Sequence, residues 1–305
     1  MKILLVRTGG LGDSILTLPV GSHLKKLYPE AELHIFGNAV MLEAAALTGE
    51  YSGFRTVDEA GFSTLFSESG VTGFLRDYFS KFERVYFFSS GNAGSITRTV
   101  LEVGAGYCLV FDPRPPDGFH NHITSHLLSI LETPPVLPEG IPWLAWASAP
   151  KRDSGTLVIH PGSGGIPKMW PFDRFLEIAD YWTNPEKVVF LLGPAEIERG
   201  FNARIPSRYV KAIPETLQDA CDILRKASFY LGNDSGVSHL AALAETQSVV
   251  LFGPSDPAVW RPLGNQEIVV YSVNRRMEGI EVDEVIKALE TISRSTPCRQ
   301  KPLCL

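Results

Sequence analysis

Short apolar runs alternate with longer stretches of helical periodicity along the whole chain. Ile3 to Val6 is uninterrupted and reads as a buried strand, and Ile15, Leu16, Leu18, Leu24 and Leu27 then recur at the spacing of one helix face. Leu33 to Phe36 predicts a second strand and Met41 to Leu47 a helix. Arg84 to Phe88 and Tyr107 to Phe111 predict further strands, with a helical stretch after Gly94 between them. The pattern resumes later, with strands over Thr156–Ile159, Lys187–Leu192, Phe229–Leu231 and Ser248–Phe252. Helices are predicted over Phe172–Trp182, Thr216–Lys226, Ser235–Ala244 and Val282–Ser293. Strands alternating with helices of this length point to α/β architecture, with parallel sheets and helical crossovers.

One stretch breaks the alternation. Pro134, Pro135, Pro138, Pro142 and Pro150 punctuate Thr133 to Asp153, and neither a helix nor a central strand accommodates prolines at that density. This segment is expected to be an interdomain linker, with Trp143 and Trp146 packed on a domain face. A length of 305 residues also favours two cores over one. The expected domains are residues 1–145 and 146–305, with the last helix free to pack back on the first domain.

Composition narrows the function classes. With 44% hydrophobic and 20% charged residues the chain is an ordinary globular one, and no apolar run approaches a membrane span. The opening residues read as a strand running into a glycine turn, not as a secretion signal. A net charge of −6 argues against nucleic acid as a partner. Cys108 and Cys221 sit in apolar surroundings and are expected to be buried thiols; Cys298 and Cys304 flank a basic tail without zinc-site spacing. His120, His122 and His126 cluster without a carboxylate at matching spacing, so surface histidines are favoured over a metal site. A reducing cytoplasm fits these features.

Open parallel sheets bind ligands beyond the carboxyl ends of their strands, so the turns there carry the candidate chemistry. Gly9-Gly10-Leu11-Gly12-Asp13 follows the first strand and opens a helix. Gly10 and Gly12 allow close backbone approach, but the third glycine of the dinucleotide fingerprint is missing. Asp13 is by position a candidate helix N-cap. His160-Pro161-Gly162-Ser163-Gly164-Gly165-Ile166-Pro167-Lys168 also follows a strand, and Pro171 opens the next helix. Its amides, the Ser163 hydroxyl and the Lys168 ammonium suit a diphosphate, although the P-loop spacing is absent. In the third turn Asp234 or Ser235 can cap a helix beginning at Gly236, with His239 one turn on from Ser235. Glu196, after another strand, is either a ribose ligand or a solvated acid.

These turns, in this order, resemble glycosyltransferase family 9, the ADP-heptose:lipopolysaccharide heptosyltransferases. The likeness lies in Gly12-Asp13 with Leu16 to Pro19, in His160 to Ser163 with Lys168 to Pro171, in Asn233 to Ala242, and in Leu251 to Pro257. The resemblance implies a GT-B fold of two Rossmann-like domains facing each other across a cleft. It implies an inverting, metal-independent transfer without a cofactor, from a nucleotide sugar, ADP-linked, to a lipid-linked or oligosaccharide acceptor. Asp13 would be the general base, with Gly10 and Gly12 in the acceptor-side loop. Ser163, Gly164, Lys168, Asp234, Ser235, Gly236 and His239 would hold the donor and its diphosphate. The family also implies cytoplasmic work, with peripheral contact at the inner membrane face.

Two other classes compete. A nucleotide-dependent oxidoreductase could use one Rossmann-like half, though the missing glycine speaks against it. A non-catalytic nucleotide-sugar-binding protein would not need Asp13 and Lys168 together.

Overall fold

The computed structural model describes residues 1–58, 62, 65, 73–131, 152–182, 184–264 and 267–294. The chain divides into two compact units, Met1–Trp146 and Ala147–Leu305. Most of the proline-rich stretch, with Trp143 and Trp146, lies outside the described residues, as do Cys298 and Cys304.

The first unit runs β1 (Lys2–Arg7), α1 (Leu11–Leu27), β2 (Glu32–Gly37), α2 (Ala39–Ala46), β3 (Gly53–Thr56), α3 (Gly73–Phe79), β4 (Arg84–Phe88), α4 (Ala93–Glu102), β5 (Cys108–Phe111) and α5 (Ile123–Leu128). Its described strands form a five-stranded sheet in the order β3-β2-β1-β4-β5, with parallel pairings throughout. Ile3, Leu4, Leu5 and Val6 are all buried, because helices cover both faces of a parallel sheet and leave no solvent side to alternate with. Leu4, Val6 and Phe36 join Phe79, Val85 and Phe87 in one core. Burying a side chain of this size stabilises the fold by about 1.5–3 kcal/mol.

The second unit runs β6 (Leu157–His160), α6 (Phe172–Tyr181), β7 (Val188–Leu191), α7 (Pro194–Glu198), α8 (Phe201–Arg204), β8 (Val210–Ala212), α9 (Leu217–Lys226), β9 (Phe229–Asn233), α10 (Gly236–Leu243), β10 (Gln247–Phe252), α11 (Pro257–Trp260), β11 (Glu267–Tyr271) and α12 (Val282–Arg294). Six described strands lie in the order β11-β10-β9-β6-β7-β8, again all parallel. α12 packs on β10, β11 and α6 of its own unit. Trp170 anchors the core here; it is 1% exposed, with its indole N–H donating to Ile280 O at 3.0 Å.

In each sheet the chain builds outward from one strand in one direction and then returns to build in the other. The reversal falls between β1 and β4 in the first unit and between β6 and β9 in the second. Crossovers leave a sheet on opposite faces at such a point, which opens a crevice at the carboxyl ends of the two strands.

Candidate functional site

The reversal point of the second unit brings two of the turns together. β6 pairs with β9, with His160 opposite Gly232, so the segment after His160 lies beside the segment after Asn233. Asn233 is fully buried and ties them. Its Nδ2 donates to Pro161 O at 2.9 Å and Gly162 O at 3.1 Å, while its Oδ1 accepts from Trp170 N–H at 3.0 Å. The Ser163 hydroxyl donates to Asp234 O at 2.7 Å. Lys168 Nζ lies 2.7 Å from Asp234 Oδ2, with the carboxylate side chain 8% exposed and the ammonium side chain 40%.

Beyond them begins α10. Ser235 holds its N-cap position without a side-chain cap bond, so capping by the Ser235 or Asp234 side chain is not what opens this helix. The Ser235 hydroxyl sits 3.4 Å from that of Ser238, and Ser238 donates to Asn233 O at 2.5 Å. His239 is buried one turn on, its N–H donating to Ser235 O at 3.4 Å. The amino end of α10 is the positive end of a helix dipole whose first turn carries no acid, and its Ser238 amide already donates to Ser235 O at 3.1 Å. Amides, hydroxyls and one mobile ammonium therefore converge at one crevice, the donor set that binds phosphate oxygens.

Glu196 is not the solvated acid that one sequence expectation made it. It is 5% exposed rather than solvated, and its Oε2 accepts from Gly193 N–H at 2.9 Å, closing the first turn of α7. A Cβ on Gly162 would stand 1.8 Å from Glu196 Oε1, so the loop passes over this carboxylate only because residue 162 has no side chain. His160 is buried beside it. Burial pushes its pKa down, against the opposing pull of Glu196, and the neutral ring donates from Nδ1 to Leu191 O at 3.0 Å. Arg199 Nη1 donates to Ser163 O at 3.0 Å. Pro171 stands at the N-cap of α6, one position before the first helical residue.

The other turn closes within the first unit. Gly10, not Asp13, occupies the N-cap position of α1; Asp13 is the third helical residue, and its Oδ2 reaches back to accept from Gly10 N–H at 3.1 Å. The N-cap expectation for Asp13 is thereby corrected: glycine turns the chain, and the acid satisfies the amide that glycine cannot satisfy itself. Gly9 is required as well, since a Cβ there would meet Asp13 Cβ at 2.7 Å. Arg7 Nη2 lies 3.2 Å from Asp13 Oδ1, with the arginine side chain 8% exposed and the aspartate 45%. The Arg7 guanidinium also sits 5.7 Å from the Phe88 ring centroid. Asp13 thus keeps both oxygens anchored and close to half of its side chain open, an acceptor fixed at the carboxyl end of a central strand. Gly12 follows in the first turn of the same helix.

Arg7 and Arg199 were not singled out in the sequence, and Asn233 entered only as the first residue of the segment running to Ala242, with no role of its own. Arg7 and Asn233 end otherwise apolar buried strands, and a polar residue at that place was the available signal. The histidine cluster resolves into local duties: His122 Nδ1 accepts from Thr124 N–H at 3.2 Å to cap α5, and His126 Nε2 lies 2.9 Å from Asp112 O. Cys108 and Cys221 are buried thiols whose pKa burial pushes up to about 12. Among the described residues no group of three or more His, Cys, Asp or Glu could hold a metal ion, and no helix is long and apolar enough to cross a membrane.

Residues 144–287 match the model of "Glycosyltransferase family 9 (heptosyltransferase)". Lipopolysaccharide heptosyltransferase 1 of Escherichia coli is 23% identical over 128 residues, 41% of this chain and 40% of that protein, so the chain spans well under half of its length. Lipooligosaccharide heptosyltransferase 2 of Campylobacter jejuni is 23% identical over 288 residues, covering 87% of this chain and 85% of that one. The solved ADP-heptose lipopolysaccharide heptosyltransferase II of E. coli superposes with a TM-score of 0.74 at 18% identity, over 96% of this chain and 98% of that chain. The architecture is therefore the GT-B fold of two Rossmann-like domains.

Proposed function

We propose that this chain, which belongs to glycosyltransferase family 9, transfers heptose from ADP-heptose to a lipopolysaccharide-core or related surface-glycan acceptor. The observation that carries the reading is the convergence of Lys168, Ser163 and the amino end of α10 at the reversal point of the second sheet. That donor set suits a departing diphosphate better than any neutral ligand. The family relationship supports heptose as the sugar, and the name of the E. coli enzyme supports ADP-heptose as the donor.

In the proposed reaction Asp13 accepts the proton of the acceptor hydroxyl as that oxygen attacks the anomeric carbon. The bond from that carbon to the β-phosphate oxygen breaks on the opposite side, the configuration inverts, and ADP leaves with the bonding pair. Charge developing on the diphosphate is taken up by Lys168, by Ser163 and by the amides of Gly236 and its neighbours. Gly164 gives the loop room to close on the phosphates, Ser235 and His239 border the sugar side, and Asp234 holds the lysine in place. Metal independence is part of the proposal: Lys168 does the neutralising that a cation does in other sites. The work is proposed to occur in the cytoplasm, with peripheral contact at the inner membrane face where a lipid-linked acceptor is met.

Calorimetric titration with ADP, UDP and GDP tests the donor, and retention of turnover in a chelator tests metal independence. Tighter binding of ADP is expected; equal binding of the three would refute the ADP assignment, and loss of turnover on chelation would refute the metal-free mechanism.

A further inference from the structure

The reversal point of the first sheet holds a cavity of about 180 Å³ that the proposed chemistry leaves unused. It opens at the carboxyl ends of β1, β4 and β5, and Arg7, Thr8, Phe88, Ser89, Ser90 and Pro113 line it. At roughly 30 Å³ for each water displaced, it has room for an acid group with part of its carrier. Its rim is tied: Arg114 Nη2 donates to Ser90 O at 3.0 Å and, at 2.7 Å, to Asp112 Oδ2, which joins the ends of β4 and β5.

Among the described residues that line the cavity, Arg7 carries the one charge. The residue is 7% exposed, and its Nε–H is buried with no hydrogen-bond partner among the described residues. Asp13 engages one guanidinium nitrogen through a single contact at 3.2 Å, and Asp13 does not line the cavity. Burial pushes the Arg7 pKa down while Asp13 pushes it back, yet arginine stays protonated at any working pH. A buried, charged fork with donors to spare beside an acid-free cavity is poorly satisfied as it stands, since each enclosed donor without a partner carries a desolvation cost. A planar or tetrahedral oxyanion would satisfy it, and Ser90 adds a hydroxyl at the same wall.

We propose that this cavity is an anion subsite for the acceptor, taking a carboxylate or phosphate group through the Arg7 guanidinium. It rests on the transfer reading only for naming the acceptor as the source of the anion. The same guanidinium then touches the acceptor's acid group and the base Asp13, which fixes where the acceptor hydroxyl must lie. An acceptor lacking an acid group at that distance is held more weakly.

The intact chain is titrated with glucuronate, glucose 6-phosphate, glucose and inorganic phosphate. Binding is followed by thermal stabilisation and by nitrogen-edited NMR of the Arg7 Nε–H, assigned by its absence from Arg7→Lys. Both sugar acids are expected to stabilise the fold and shift that resonance, with glucose silent. Arg7→Gln loses on the order of tenfold in affinity for the acids, while Lys168→Ala retains it. An unmoved Arg7 resonance, an equal response to glucose, or loss in Lys168→Ala but not Arg7→Gln overturns the subsite. Inorganic phosphate binding more tightly than either sugar acid overturns the acceptor as its source. If Arg7→Gln does not fold, the resonance of the unaltered chain still decides. ADP titrated into the same samples separates the two readings, because failed ADP binding counts against the transfer proposal and leaves the Arg7 result standing.

Discussion

Lys168 Nζ rests 2.7 Å from Asp234 Oδ2, a pairing of a half-exposed ammonium with a nearly enclosed carboxylate across 66 positions of sequence. The asymmetry matters. A carboxylate this buried needs its partner, whereas the more exposed lysine is, in the proposed reaction, the group that turns toward an incoming diphosphate. Asp234 is best understood as the group that stores and aims the lysine, since a carboxylate alone would repel phosphate.

Replacing Lys168 by alanine is therefore expected to weaken ADP binding by about ten- to a hundredfold, the worth of about 1.5–3 kcal/mol for bonds to a charged group. Calorimetry reads this directly. An unchanged dissociation constant would take the lysine out of the phosphate site.

Asn233→Ala should destabilise the second unit. Three buried partners lose their bond at once, the carbonyls of Pro161 and Gly162 and the amide of Trp170. A cost of about 2–3 kcal/mol is expected from leaving such groups unsatisfied. Urea unfolding followed by tryptophan fluorescence measures it, and a midpoint within error of the unaltered chain would refute the anchoring role.

Much of this was legible in the sequence. Arg84–Phe88 is the strand that its apolar run predicts, and the turns at Asp13, Lys168 and Asp234 all fall at carboxyl ends of central strands. Sheet order was not legible, because which strand pairs with which depends on crossovers that one-dimensional periodicity does not record. β3, β8 and β11 were missed: Gly53–Thr56 and Val210–Ala212 are short edge strands with little burial, and Glu267–Tyr271 is only half-buried. Asn233 acts through partners far away in sequence, Glu196 through a close approach at Gly162, and Arg7 through Asp13 six positions on and the distant Phe88 ring. Composition assigns those residues to solvent and only packing reassigns them.

Gly162→Ala tests that close approach. The new methyl would meet Glu196 Oε1 at 1.8 Å, and moving a buried, hydrogen-bonded carboxylate costs about 1–3 kcal/mol. Adding Glu196→Ala should recover part of the loss. Two purely additive penalties in a double-mutant cycle would mean that the groups do not collide.

Acid should weaken the second unit through His160. Its folded-state pKa lies below the ordinary value, so the unfolded chain binds the proton more readily. The stabilisation is complete above about pH 6.5 and is lost as pH falls from there toward the lowered folded value, by up to about 1.4 kcal/mol per unit. His160→Gln should flatten that part of the urea-midpoint profile. A variant whose profile parallels the unaltered chain would assign the acid sensitivity elsewhere.

The central claim is that Asp13 removes a proton while the second unit holds the donor, and one paired measurement isolates it. Transfer from ADP-heptose to a lipopolysaccharide-core acceptor is followed for the unaltered chain and Asp13→Asn, with ADP affinity measured on the same samples. Turnover by the unaltered chain and a fall of about a hundredfold or more in the variant are predicted, with the ADP dissociation constant preserved within about twofold. No transfer by the unaltered chain, or a variant that keeps its rate or loses ADP binding in the same proportion, would contradict the account.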